Sequence, residues 1–191
     1  MQLQERYETN YQALTLEQFL DQPQIEGSPA WEFLEGEVFQ KPMPSLFHSR
    51  LQRNLVNWLN QFSGLDEDWE AIQELRCVLP GGSPVPDIVV VKVDRLGTVD
   101  GPLAGAPDWL IEIRSPDQRL LLLQRKILDC LEAGTILAWL IDPTQREVWV
   151  WQGQSLPRVY SGLDSLPVLP DFAGLTVDRL LAMTQGKGVV L

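Results

Sequence analysis

Apolar residues along this chain recur in two rhythms, and the switches between them mark out its elements. From Leu46 to Phe62 they return at steps of three and four, through Leu51, Leu55, Trp58, Leu59 and Phe62. That spacing predicts a helix with one buried face. Ser45 stands where it can cap this helix, and Thr15 with Gln18 has capping-box spacing that predicts an earlier short helix through "LEQFL". Between the two, "WEFLEGEVFQK" reads as two short strands turning at Glu35 and Gly36, ended by Pro42 and Pro44. The pattern then becomes short apolar runs: "WEAIQELRCVLP", "PDIVVVKV", "PDWLIEI", "ILAWLIDP" and "REVWVWQ". Turns such as "GGSP" at 81–84 separate them, and their β-branched and aromatic content predicts strands. Residues 118–133 return to helical spacing, with Gly134 in a C-cap position. A strand near "RVYS" and a short helix at "TVDRLLAM" complete the tail. The strands on either side of helix 118–133 are expected to run parallel through a crossover and the rest to be antiparallel or mixed. This is an α/β layout with one central sheet.

A length of 191 residues suits one domain, 1–191, with room for a core. The 45% hydrophobic and 21% charged composition excludes a disordered chain. No apolar stretch approaches the ~18 residues of a membrane helix. The amino terminus carries charges where a leader would need an apolar centre, so a cytoplasmic location is expected. Cys77 and Cys130 form no CxxC pair and read as small buried hydrophobes rather than zinc or redox ligands. A net charge of −11 argues against a protein that coats nucleic acid non-specifically. It leaves room for a local basic patch, because exposed charges are screened over roughly 8 Å at physiological salt.

Charge changes the picture most at Glu112, planted inside the apolar run Trp109–Ile113. A carboxylate there is costly to bury unless something opposite compensates. Asp87 directly precedes the "IVVV" run, 25 positions earlier. Adjacent strands lie about 4.8 Å apart, and one register puts both acids on the same face. Two carboxylates that close repel unless a cation lies between them, and an oxygen-only donor set suits Mg2+ or Mn2+. In the alternative, Asp87 caps the turn after Pro86 and Glu112 pairs with an arginine. Arg114, Arg119, Arg125 and Lys126 gather just downstream, on and before helix 118–133. Lys126 stands beside the stripe formed by Leu122, Leu123, Ile127 and Cys130, and can point to the sheet or to solvent. Trp149 and Trp151 share one side of their strand and suit core packing, a homodimer contact or stacking on bases. There is no GxGxxG, Walker A or GxSxG motif, and Asp142-Pro143 fits a turn.

The segments "WEFLEGEVFQKPMPSLFHSRL", "PDIVVV", "PDWLIEIRSP" and "QRKILDCLEAGTILAWLIDPTQREVWVW" together resemble, in order and spacing, the Uma-type family of restriction-endonuclease-like proteins. That family is a branch of the PD-(D/E)XK nuclease superfamily, and the resemblance covers roughly residues 15 to 151. It implies a restriction-endonuclease-like α/β fold: a central mixed sheet flanked by helices, an N-terminal hairpin, and extra C-terminal strands. The nuclease core would span about 31–151 and a C-terminal extension 152–191. It further implies a metal-dependent endonuclease acting on nucleic acid, DNA before RNA, with Mg2+ or Mn2+ on Asp87 and Glu112 and the Ile113 carbonyl as a further ligand. Glu37 would add a carboxylate. The superfamily lysine normally lies two positions after the acid, where this chain has Arg114; Lys126 on the next helix is the matching position. His48 would orient a water or contact phosphate, or simply be satisfied at its helix start. Arg114, Arg119 and Arg125 would grip flanking phosphates. A homodimer would suit cutting both strands of a duplex, and no membrane partner is implied. The competing expectation is a non-catalytic binding or interaction module that keeps the fold.

Overall fold

The computed structural model describes residues 14–62, 68–116, 118–153 and 155–185. Residues 1–13, on which the leader expectation partly rests, lie outside the described residues, as do the side chain of Phe62 and residues 186–191 of the expected extension. The elements follow the two rhythms closely. Helices are α1 (Leu16–Leu20), α2 (Leu46–Phe62), α3 (Leu120–Glu132) and α4 (Val177–Ala182). The hairpin is β1 (Trp31–Leu34) with β2 (Glu37–Gln40). Then come β3 (Trp69–Gln73), β4 (Cys77–Val78), β5 (Ile88–Lys92), β6 (Leu103–Ala104) and β7 (Trp109–Ile113). Last are β8 (Leu137–Asp142), β9 (Glu147–Gln152), β10 (Arg158–Ser161), β11 (Ser165–Leu166) and β12 (Leu175–Thr176).

A six-stranded sheet in the order β10-β9-β8-β7-β5-β3 forms the centre. Its one parallel pair is β7 with β8, joined by α3 as expected of a crossover; its other neighbours are antiparallel. The near-continuous apolar runs of β5, β7 and β8 have a simple cause, since both faces of these strands are covered. On one face Ile88, Val90, Trp109, Ile111, Ile113, Trp139 and Ile141 meet Leu51, Leu55, Trp58 and Leu59 of α2 together with Leu180 and Leu181 of α4. On the other face Val89, Val91, Leu110, Ala138 and Leu140 meet Leu123, Ile127, Cys130 and Leu131 of α3. Trp151 is buried in that second core and Trp149 packs against it, so these rings serve packing.

Local chemistry sets the helix boundaries. Thr15 and Gln18 complete the reciprocal capping box of α1. The Ser45 hydroxyl accepts from the His48 N–H at 3.2 Å at the start of α2. Helix α3 begins at Leu120, later than its periodicity suggests, because Gln118 is held in a turn: its side-chain oxygen accepts from Ser115 N–H at 2.8 Å and its N–H reaches Ser115 O at 3.0 Å. After α3 the chain needs a left-handed residue to turn back into β8, and Gly134 takes it at φ +115°. The hairpin is tied to the body by Arg76, which donates to Ile25 O and Trp31 O at 2.9 Å each, to Ser83 Oγ at 3.0 Å, and pairs with Glu26 at 2.5 Å. No helix among the described residues is long and apolar enough to cross a membrane.

Candidate active site

The β5–β7 ladder runs antiparallel and pairs Ile88 with Ile111. One residue further along each strand stand Asp87 and Glu112, so the register places them across from one another. Both lie on the face that carries α3, beside Val89 and Leu110. Asp87 Oδ2 accepts from the Ile113 N–H at 2.8 Å, which fixes the two strand ends together. Both acids are buried, Glu112 completely. The α3 helix, returning over the sheet, turns Lys126 inward: its ammonium lies 3.0 Å from Glu112 Oε1 and 2.8 Å from Glu32 Oε1 of β1. The residue opposite Glu112 is therefore a lysine, not an arginine. Glu32 is itself oriented by accepting from the Val85 N–H at 2.7 Å.

A second ammonium enters from the end of the hairpin. Lys41 Nζ lies 2.9 Å from Asp87 Oδ1 and donates to Val85 O at 2.9 Å, with Glu74 3.8 Å away. From the first turn of α2, His48 places Nε2 3.5 Å from Asp87 Oδ1 and Nδ1 3.4 Å from Ser115 Oγ. One turn further along α2, Gln52 donates to the Asp87 carbonyl at 2.7 Å. A cavity of about 250 Å3 opens onto this cluster between hairpin and α3, bordered by Glu32, Lys41 and Lys126 within and by Pro42 and Arg119.

Burial pushes the Asp87 carboxyl upward, but Lys41 beside it and the hydrogen bond from His48 outweigh this and hold it well below the usual carboxylate range. Burial also works against Lys126, yet Glu112 and Glu32 together keep its ammonium above the ordinary lysine range. Glu112 is different. Burial pushes it up, Lys126 resists, and the negative Asp87 across the ladder adds to the push, leaving it raised to about 7. The two upward shifts are compatible: Lys126 draws on two close carboxylates and stays charged, so Glu112 is the member that gives way. Its pairing with Lys126 lacks hydrogen-bond geometry, and neither of its oxygens accepts a hydrogen bond from a described residue. A buried carboxylate with an ion pair but no hydrogen bond to either oxygen is unusual, and leaves acceptor capacity for a further partner. Among the described residues no three His, Cys, Asp or Glu side chains close into a metal cage. The carboxylates a cation would meet are Glu112 and, across the ladder, Asp87, whose Oδ1 and Oδ2 already take Lys41 and the Ile113 N–H and would have to share them with the ion. Two carboxylates with the remaining positions filled by water is a donor set that a hard divalent ion accepts.

Not every expected residue joins the cluster. Glu37 shares a hairpin face with Glu32, but it lies beside the turn, paired with Leu34, and is exposed. Glu32, two residues further from the turn, is the hairpin acid that reaches the acids of the sheet. Arg114 is held by Asp142 Oδ2 at 2.5 Å, while Asp142 Oδ1 caps the following turn through Thr144 and Gln145. Arg125 reaches Glu35 at 3.2 Å on the outer side of α3. Arg119 stands exposed at the cavity. Lys41, Glu32 and Gln52 are the members that sequence reasoning did not single out. For Glu32 a signal existed: like Glu112 it is a lone acid among large apolar neighbours, here Trp31, Phe33 and Leu34.

Fold and site together define a restriction-endonuclease-like α/β protein, with its acids at the ends of paired strands. The chain belongs to the Uma2 family, described as "Putative restriction endonuclease", whose sequence model matches residues 16–184. The match runs past residue 151, where the motifs quoted above end, through the C-terminal segment that packs on α2. Among solved structures, the chain is similar to one described as a "putative nuclease belonging to DUF820 from Anabaena variabilis ATCC 29413". The TM-score is 0.81 at 37% identity, over 90% of this chain and 99% of that one. No curated protein matches.

Proposed function

We propose that this protein is a Mg2+- or Mn2+-dependent endonuclease that hydrolyses phosphodiester bonds of nucleic acid, with DNA the first substrate to test. The observation that carries this reading is the fully buried carboxylate of Glu112, which faces Lys126 but accepts no hydrogen bond from a described residue, across the ladder from Asp87. These two residues would hold the ion, which when bound polarises the phosphate and lowers the pKa of a coordinated water. The remaining work falls to the chain itself. Lys126 stays protonated and can orient the attacking water or offset charge gathering on the phosphate oxygens. Lys41 and the Ile113 N–H clamp the Asp87 carboxylate in one orientation, and Gln52 fixes its backbone. His48 reaches the same carboxylate and Ser115. Arg119, exposed where the cavity opens, is free to meet a flanking phosphate, since a guanidinium fork matches that geometry. Arg114 and Arg125 are already paired with carboxylates and are weaker candidates for that task.

The test is cleavage of plasmid and oligonucleotide substrates with Mg2+, with Mn2+ and with EDTA. Cutting should require the ion and vanish in Asp87→Asn and Glu112→Gln. Cutting that survives EDTA and both substitutions refutes the assignment. One observation favours the second reading, a non-catalytic module on the same fold: two lysines already neutralise much of the acid cluster. Under that reading neither ion changes the melting temperature and no substrate is cut.

A further inference from the structure

Beside the cluster, the chain leaves an unusual surface. The loop leaving the hairpin runs from Pro42 at the cavity rim through Met43 and Pro44 into α2, whose first turn begins with Leu46 and Phe47. Met43 is 70% exposed, Leu46 63% and Phe47 61%. Single exposed apolar residues are ordinary; three large ones within five positions, on a segment stiffened by two prolines, are not. Their setting is electrostatically distinct as well. The chain carries 26 acids against 15 lysines and arginines, yet the 17 residues of α2 contain no acid. Arg50 and Arg53 follow Phe47 by one and nearly two turns, Arg53 exposed and Arg50 half-buried, and neither makes an ion pair with a described residue. The same first turn of α2 carries His48, which touches Asp87.

We infer that Met43, Leu46 and Phe47 form a base-contacting platform, with Arg50 and Arg53 as phosphate contacts, that docks a nucleic-acid strand beside the acid cluster. Apolar and aromatic side chains hold bases by stacking or by wedging between base steps, and arginines track the backbone next to them. An acidic molecule needs such a local acid-free strip to take a polyanion at all. A protein partner with a complementary apolar face would not call for two arginines that make no ion pair with a described residue, Arg53 donating only to Asn54 Oδ1 among those residues, or for continuity with the cluster. This inference rests on the proposed nuclease reading and specifies where its substrate is held.

The test is fluorescence-anisotropy binding of a short fluorescein-labelled oligonucleotide, single-stranded in one arm and duplex in the other, to the full chain in EDTA. Tighter binding of the single strand indicates stacking, and of the duplex a wedge. Phe47→Ala should weaken the preferred arm about fivefold or more. The Arg50→Gln/Arg53→Gln double variant should lower the slope of log affinity against log salt by roughly one to two. Unchanged melting temperatures would separate these effects from misfolding, as expected where Phe47 and Arg53 are exposed and Arg50 is half-buried without an ion pair to a described residue. Wild-type affinity and salt slope in both variants, alongside ion-dependent cutting lost in Asp87→Asn, would overturn the docking face while leaving the nuclease reading intact. Wild-type protein that neither binds nor cuts overturns both. Self-association that Phe47→Ala abolishes in sedimentation would assign the face to a second copy and overturn the inference.

Discussion

Glu112 concentrates the energetic tension of this protein in one side chain: fully buried, faced by one ammonium, and repelled by Asp87. The consequence for stability has a definite sign. A carboxyl raised from 4.5 to about 7 on folding contributes stability that is complete below pH 4.5 and lost as pH rises through about 7. Asp87, held low, works in reverse: its contribution is present above 3.8 and lost as pH falls toward its depressed folded value. Urea titrations between pH 4.5 and 7 should therefore show Glu112 eroding stability by at most about 1.4 kcal/mol per pH unit, and Glu112→Gln should flatten that slope. An unchanged slope would trace it to another group. The two thiols make a second, simpler case. Both are completely buried, Cys77 pushed up to about 12 and Cys130 well above its usual 9.0. A thiol reagent at pH 8 should label neither in the folded protein and both in urea; rapid native labelling would show the α3 face opening.

The hairpin and α3 are what convert two acids at the ends of central strands into a cluster. β1 brings Glu32, the residue after β2 brings Lys41, and α3 lowers Lys126 between Glu32 and Glu112. The hairpin's position depends on the buried guanidinium of Arg76, which satisfies carbonyls of Ile25 and Trp31. Arg76→Met should cost about 1–3 kcal/mol in urea unfolding, because it removes the guanidinium hydrogen bonds to the Ile25 and Trp31 carbonyls and to Ser83 Oγ. It should also weaken any activity, by letting Glu32 and Lys41 drift. A loss below about 0.5 kcal/mol would mean that the Phe33–Ser83 bridge and the contacts of Glu32 and Lys41 seat the hairpin without Arg76. The strands and the parallel crossover could be read from the chain because burial on both faces writes itself as β-branched runs. The pairing of Asp87 with Glu112 could be read too, as what one register gives, set against a turn-capping Asp87 and an arginine partner for Glu112. The direction of Lys126 could not: it borders the apolar stripe, and the packing of α3 on the sheet decides which way a borderline position turns. Glu32 escaped notice because a polar residue in a short alternating strand normally faces water. Glu37 was favoured over it by motif matching; the two share a hairpin face, and distance from the turn puts Glu32 inside.

The six-stranded sheet places these acids where its strand ends, the hairpin and two helices converge, within an otherwise acidic molecule. If a divalent ion occupies Glu112 and Asp87, it binds the folded chain and not the unfolded one, so it must raise the melting temperature. At a hundredfold excess over its dissociation constant the gain is about 2.7 kcal/mol. Differential scanning fluorimetry with Mg2+ and Mn2+ should show a shift that Glu112→Gln removes, and a shift of equal size in that variant would place the ion elsewhere. The cluster also has a consequence for how the chain comes into being. Its charges are drawn from the hairpin, α2, the strand ends and α3, positions 32 to 126, and none of them is adjacent in the chain to its partner. On a ribosome, the nascent polypeptide lacks the closing ammonium until residue 126 has emerged, and a fragment ending earlier cannot complete the cluster. Whatever chemistry needs that closure is thereby withheld from copies that stop short of α3.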